Sequence, residues 1–364
     1  MAGADPRLPA EWRDRLDELA RSRGLATHEQ LGVLGPALRE VSDAYNGGDV
    51  RLPWTPARLA ARLHFFLVRD QAKVVAALRD LVVPGAWRGD GPPLRVVDVG
   101  AGIGASALGV VRALRGHGVT RALELHLLDT DAAALAVAAE VLGGCAGVRV
   151  TLGGGMPDRV DLACFAAVLV EVAGGATAAE GDARCTARVN DAVRRLLPGG
   201  RVVVVEPALR ESTRRLMRVR DVLAAGGAHV HAPCPHDGPC AMLGDARDWC
   251  HDDVDVDLPA WTQALARAAG LRWQGLTFAR LVLGAEPVAR PAFRVVAPPR
   301  DSRGRRERQL CGALPDGRTL VWVDRLEKHH TEANAAFAEL QRGDGVDLEP
   351  ASARVGPDCR VTRG

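Results

Sequence analysis

From residue 94 onward the apolar positions come in short, nearly unbroken runs separated by longer amphipathic stretches. Residues 94–99, 123–128, 148–152, 162–170 and 201–205 are the runs, and each predicts a strand. Between them, residues 105–114, 132–142 and 185–197 have helical spacing, and the last stretch stops at Pro198-Gly199-Gly200. Strands of this kind alternating with helices predict a parallel sheet covered on both faces. A later helix is predicted over 258–269 and further strand sequence over 273–283.

Upstream the period changes. Residues 9–90 read as mostly helical, beginning with Trp12, Leu16 and Leu19 on one face. A second helical pattern covers 27–45, with Thr27 as N-cap and Gln30 three residues on. A third covers 55–81, with Pro56 at the first helical position. These predict a helical cap on the following domain. Gly89-Asp90-Gly91-Pro92-Pro93 reads as a linker. From about Glu286, short β-like runs such as Phe293–Val296 and Thr319–Val323 alternate with Gly and Pro, which predicts a small β-rich domain, in one form a barrel. The expected organisation is a helical region at 1–90, an α/β domain at 91–285 with a cysteine-rich insertion at 229–257, and a basic β-rich domain at 286–364.

Composition adds bounds. The 364 residues are 47% hydrophobic and 25% charged, as in ordinary globular proteins, and the net charge of +2 gives no global signal for a polyanion partner. Lysine occurs only at 73 and 328, so arginine carries the positive charge. No apolar run is long enough to span a bilayer, and the charged N-terminal segment lacks the apolar core of a signal peptide. A cytoplasmic bacterial protein is expected, with no membrane partner and as a monomer. In a reducing compartment, eight cysteines point to ligands or buried thiols rather than disulfides.

The first strand runs into Asp98-Val99-Gly100-Ala101-Gly102-Ile103-Gly104, directly before a helix. Glycines there let the backbone turn tightly and approach a ligand. Asp129 ends the second strand, where a carboxylate can accept both hydroxyls of a ribose. Asp98, Gly100, Gly102, Gly104 and Asp129 are the candidate cofactor residues. With the Leu-Pro-Gly-Gly turn they resemble a class I S-adenosylmethionine-dependent methyltransferase, of Rossmann-like fold. A nicotinamide dinucleotide fits less well, because Ala105 stands where its motif has the last glycine. No Asn/Asp-Pro-Pro-Tyr clamp follows the fourth strand; Glu171 stands there, either to orient a methyl acceptor or to cap a helix.

The turn-rich stretch from Ala232 to His251 places Cys234, Cys240 and Cys250 within seventeen residues, and Cys311 follows far downstream. Four converging thiolates can make a zinc or iron–sulfur site. The spacing Cys-x5-Cys-x9-Cys-x60-Cys matches neither paired zinc-finger spacing nor the radical S-adenosylmethionine signature. His229, His231, His236 and His251 crowd the segment; each alone reads as a supporting or surface residue. A nucleophilic Cys234 would need a Pro-Cys after the fourth strand, which this sequence does not have.

Pro233-Cys234-Pro235-His236-Asp237 with Cys240, Asp248-Trp249-Cys250-His251, Leu310-Cys311-Gly312 and Glu206-Pro207 together resemble the methyltransferase-like assembly factors of the small ribosomal subunit, found in mitochondria and bacteria. The resemblance covers most of residues 45–330. It implies a 4Fe–4S cluster on Cys234, Cys240, Cys250 and Cys311, and binding to small-subunit rRNA and ribosomal proteins during assembly. An active rRNA methyltransferase is the alternative, and a zinc-stabilised small-molecule methyltransferase a second. The family usually has Phe after its Cys-His; here Asp252 opens an acidic run, and the family's Trp-Gly-Asp ending is Arg342-Gly343-Asp344.

Two arginine groups flank the cysteines. Arg210, Arg214 and Arg218 recur every four residues after the fifth strand, with Arg215 and Arg220 beside them, so one helix face is basic. Arg303, Arg305, Arg306 and Arg308 follow downstream. The arginine fork suits phosphate, and such binding is salt-sensitive. These are the candidate RNA contacts, and a cluster reaching Cys311 would fix the two groups relative to each other.

Overall fold

The structure, a computed structural model, describes residues 4–46, 52–175 and 177–364. The first three residues of the N-terminal segment read above for a targeting signal lie outside the described residues. In chain order the first elements are α1 (Glu11–Ser22), α2 (Leu31–Asn46), α3 (Pro56–Ala61), α4 (Leu67–Ala77), β1 (Leu94–Val99), α5 (Ala105–Gly116), β2 (Leu123–Leu128), α6 (Ala132–Gly143), β3 (Val148–Leu152), β4 (Val160–Ala166) and α7 (Leu169–Ala173). Next come α8 (Ala178–Arg194), β5 (Leu196–Pro207), α9 (Arg210–Ala225), β6 (His229–Ala232), β7 (Asp252–Val254), α10 (Ala260–Ala268) and β8 (Leu276–Gly284). The last are β9 (Phe293–Val295), β10 (Arg300–Ser302), β11 (Arg305–Cys311), β12 (Leu320–Leu326), β13 (Gly345–Glu349), β14 (Arg354–Val355) and β15 (Arg360–Arg363).

The chain forms two compact units, Met1–Glu171 with Val254–Leu276, and Val172–Asp253 with Thr277–Gly364. This division differs from the expected boundary at 285: β5, β6 and β8 group with the C-terminal strands.

In the first unit the strands run β3-β2-β1-β4, all parallel, with Val96 opposite both Leu125 and Leu162. The run at β1 is apolar throughout except Arg95 and Asp98 because both faces are covered. Helix α3 starts as its sequence dictates: Pro56 fills the first turn and the Thr55 hydroxyl accepts the Arg58 N–H at 3.2 Å. The single helix expected over 55–81 is instead interrupted by a π-helical turn at Arg62–Phe66. Helix α2 begins at Leu31, four residues after the expected cap. Thr27 donates its N–H to Gln30 Oε1 at 2.9 Å, so the pair closes a turn before the helix.

In the second unit β8 lies antiparallel between β5 and β6, with a bulge between Val230 and Ala232. The parallel 3-2-1-4 run of the first unit and the 5-8-6 run of the second, with its antiparallel member, each have the strand order of a class I methyltransferase; the fold is of that α/β, Rossmann-like class. The β-rich C-terminal region is one sheet in the order β14-β12-β11-β9-β13-β15, with β10 paired to β11. Phe293, Leu310, Val323, Phe337 and Val346 form its buried core. Among the described residues no helix is long and apolar enough to cross a membrane.

Candidate functional site

The glycine loop hangs from the end of β1. Gly100 and Ala101 donate their N–H groups to Leu128 O at 2.7 and 3.1 Å, which ties the loop to β2. Gly100, Gly102 and Gly104 all have left-handed φ, at 75°, 50° and 88°. Their surroundings differ. A Cβ on Gly100 would stand 2.4 Å from Val168 Cγ2, and one on Gly104 3.1 Å from Ala138 Cβ, so both glycines serve close packing. A Cβ on Gly102 would meet nothing within 4 Å, so that stretch of backbone faces open space a ligand can approach.

Asp129 braces the loop from β2. Its Oδ2 accepts the Gly102 N–H at 2.8 Å and its Oδ1 the Asp131 N–H at 2.9 Å. Asp98 is 1% exposed and its Oδ2 accepts the Ser106 hydroxyl at 2.5 Å. Burial pushes its carboxyl up to about 7 against the Ser106 and Ala107 hydrogen bonds, and the charge of Asp129 adds to the rise. Burial also raises Glu171, with Asp129 again adding and Arg62 opposing. Three carboxyl groups within electrostatic reach make a site that favours a cationic ligand.

The N-terminal region adds groups that the sequence reading missed. Trp54 donates its indole N–H to Asp131, two residues from Asp129. The Arg62 guanidinium lies 4.3 Å from the Trp54 ring centroid and 5.2 Å from that of Tyr45. The only signal in the sequence was an aromatic residue directly before the Thr55 cap.

The four candidate ligands all fall in the second unit. Cys234, Cys240, Cys250 and Cys311 carry free thiols and line one cavity of about 40 Å³. Cys311 ends β11, and Met217, Met242 and Val296 pack around it. The loop carrying Cys234 and Cys240 is clamped by α9. Arg220 donates to the carbonyls of His236 and Gly238, and Asp221 accepts the Cys240 N–H at 3.0 Å. Asp237 secures the other side, accepting from Val230 N at 2.9 Å, His229 Nδ1 at 3.1 Å and Arg290 at 2.8 Å.

Burial pushes the Cys240 thiol up to about 12, with further increments from Cys234 and Cys250. Cys311 is raised by burial, then by Cys234, Cys250 and Cys240. The thiols therefore resist ionising together without a cationic group among them. Among the described residues no three His, Cys, Asp or Glu side chains form a site for a single metal ion.

Most of the candidate RNA arginines have partners within the protein. Arg214 donates to the carbonyls of Asp245 and Asp248, both at 2.7 Å, and Arg218 pairs with Asp182 at 2.5 Å. Arg308 is fully buried, bonded to Asp301 at 2.7 Å and to the Ala338 carbonyl at 2.5 Å. Arg305 pairs with Asp324 and Glu307, Arg306 lies 3.9 Å from Asp301 and from Glu327, and Arg210 pairs with Glu211. Arg303 is exposed in the hairpin turn between β10 and β11.

A family model described as mitochondrial small ribosomal subunit Rsm22 matches residues 88–336, more than half of the chain. No curated protein matches it. Among solved structures it is similar to a methyltransferase from Pyrococcus furiosus, at 13% identity and a TM-score of 0.37, over 68% of this chain and 96% of that one. It is similar to a ribosomal protein L11 methylase from Lactobacillus delbrueckii subsp. bulgaricus, at 12% identity and 0.32, over 59% and 78%. It is also similar to the fibrillarin pre-rRNA processing protein of Methanococcus jannaschii, at 12% and 0.33, over 60% and 76%. Likenesses this distant say nothing of activity.

Proposed function

We propose that the chain, which belongs to the Rsm22 family, is an assembly factor of the small ribosomal subunit that binds rRNA and ribosomal proteins, takes S-adenosylmethionine at its glycine loop and holds a 4Fe–4S cluster. The observation that carries this reading is the convergence of Cys234, Cys240, Cys250 and Cys311 on one cavity, in a chain whose family is named for the small ribosomal subunit.

The donor set would suit an iron–sulfur group: four cysteines with Met217, Met242 and Val296 beside them, and the one carboxylate of the lining, Asp252, already paired with Arg280 and Arg294. When bound, the cluster would supply four iron–thiolate bonds and one-electron exchange. The residues around it hold the loop ready. Arg220 and Asp221 fix the Cys234–Cys240 segment, and β11 presents Cys311. Zinc on the same four thiolates is the less favoured occupant, because no three His, Cys, Asp or Glu side chains among the described residues are grouped to hold a single ion.

S-adenosylmethionine would bind at the open face of Gly102 beside the Asp129 carboxylate, with Asp98, buried in β1, acting only through its charge. The cofactor carries a sulfonium and an ammonium group, both cationic, and in this reading Asp129 would accept the ribose hydroxyls. Glu171, raised by burial, is the one candidate for orienting a methyl acceptor in the alternative reading, an active rRNA methyltransferase. The reading places the protein in a bacterial cytoplasm, with small-subunit assembly.

The test is binding of the purified full chain to small-subunit rRNA across a salt series, with S-adenosylmethionine-dependent methyl transfer measured in parallel. Affinity that falls linearly with salt on logarithmic axes, without methyl transfer, supports the assembly factor. Methyl transfer that is lost on Asp129→Ala would make the enzyme the correct reading. Absence of RNA binding would refute both and leave the small-molecule methyltransferase.

A further inference from the structure

Asp252, two residues after Cys250, is 1% exposed. An acidic residue there needs buried partners, and the structure supplies two. Asp252 Oδ2 accepts from Arg280 Nε at 3.1 Å, and Oδ1 lies 2.9 Å from Arg294 Nη2. The side chains of Arg280 and Arg294 are 1% and 5% exposed. The other terminal nitrogen of Arg294, Nη1, donates to Cys250 Sγ at 3.1 Å. Arg294 also sits directly opposite Cys311 in the β9–β11 ladder. One guanidinium is thus hydrogen-bonded to one candidate ligand and strand-paired with another, with its orientation set by a carboxylate two residues from the first.

A neutral thiol is a weak acceptor, and a buried guanidinium gains little from it. A thiolate bound to metal is anionic, and a donor–acceptor pair with charge on both sides is roughly twice as strong as a neutral one. Groups of this kind beside a ligand orient it and tune the metal. We propose that Arg294, held by Asp252, is a positioning residue that donates to the cluster-bound sulfur of Cys250, stabilises the reduced cluster and slows its loss. The inference rests on the iron–sulfur reading above. A hydrogen bond and a positive charge at a ligand sulfur favour the state with the extra electron, so they raise the reduction potential.

The experiment uses the anaerobically purified full chain and the variants Arg294→Gln, Arg294→Lys and Asp252→Asn. Dithionite supplies one electron, which the cluster takes in passing from the 2+ to the 1+ state; no bond forms or breaks. Midpoint potential is measured by titration, and cluster loss by the rate of iron transfer to a chelator. Arg294→Gln is expected to change the reduction equilibrium about tenfold against reduction, ~59 mV for one electron, and to speed iron loss about tenfold. Asp252→Asn should shift both in the same direction by less, and Arg294→Lys should restore part of the potential. Unchanged potential and iron loss in Arg294→Gln and Asp252→Asn would overturn the inference while leaving the cluster in place. Wild-type protein without iron would overturn the iron–sulfur reading, and the inference with it.

A second measurement needs no substitution. In reduced wild-type protein labelled with ¹⁵N-arginine, pulsed electron paramagnetic resonance should detect a weakly coupled ¹⁵N nucleus. Cluster-containing protein without that coupling would also overturn the inference.

Discussion

If the glycine loop takes S-adenosylmethionine as proposed, the raised Asp98 carboxyl makes that binding pH-dependent in a direction that can be worked out. Burial pushes its pKa from 3.8 to about 7. S-adenosylmethionine brings two cationic groups, which favour the ionised carboxylate and lower that pKa in the complex. Binding therefore releases a proton below pH 7, and affinity must rise with pH. At pH 6 about one tenth of the molecules have Asp98 ionised, so the apparent dissociation constant should be about tenfold larger than at pH 8, ~1.4 kcal/mol. The assay is calorimetric titration with S-adenosylmethionine at pH 6, 7, 8 and 8.5, in buffers of different ionisation enthalpy to count released protons. Asp98→Asn should bind more weakly than wild type at pH 8 and with no slope. Glu171 is raised too, so Glu171→Gln is the control and should keep most of the slope. A wild-type dissociation constant that stays within twofold from pH 6 to 8, with no proton release, would refute the reasoning.

Further outcomes follow from single contacts. Asp129→Ala removes the acceptor of the Gly102 and Asp131 N–H groups as well as the proposed ribose acceptor; calorimetry should show S-adenosylmethionine binding weakened by about 100-fold, ~3 kcal/mol for two charge-assisted bonds. Gly100→Ala meets Val168 at 2.4 Å and should lower stability to urea by about 2 kcal/mol or more, whereas Gly102→Ala should cost about 1 kcal/mol for its backbone conformation and mainly block the ligand. His64 is fully buried, and burial lowers its pKa to about 4 against the opposing pull of Asp17. Between pH 6.5 and 4 the unfolded chain therefore binds more protons than the folded one, and stability falls as pH falls through that window, by ~3 kcal/mol at its lower end; His64→Gln should flatten that part of the urea-stability profile. Cys311→Ser should open the C-terminal strands to limited proteolysis and weaken rRNA binding; unchanged cleavage and affinity would refute a structural cluster.

What could be read from the chain was mostly local. The Gly100–Gly104 loop was legible because a short strand, a carboxylate and three glycines with positive φ are all specified within a few residues. The cysteine segment was legible because Pro233, Pro235 and Gly238 exclude helix and strand around Cys234 and Cys240. The Thr27 signal was real chemistry in a different place: its pairing with Gln30 closes a turn, and tertiary packing starts the helix at Leu31. The arginine period on α9 is plain in the sequence, but periodicity says nothing about what covers a face. Arg214 and Arg220 turn inward to carbonyls of the cysteine loops, and Asp182, distant in sequence, takes Arg215 and Arg218. Asp252 read as one more charge in an acidic run; only the fold brings Arg280 and Arg294 to it. Trp54 and Arg62 were invisible for the same reason: Trp54 meets Asp131, and Arg62 meets the Trp54 ring, only through tertiary structure.

The measurement that bears most directly on the account is the content of iron, acid-labile sulfide and zinc in the full chain after strictly anaerobic purification, with an absorption spectrum. The account predicts brown protein with about four irons and four sulfides per chain, lost in Cys234→Ser and Cys311→Ser. Colourless protein with about one zinc, or with no metal at all, would contradict it.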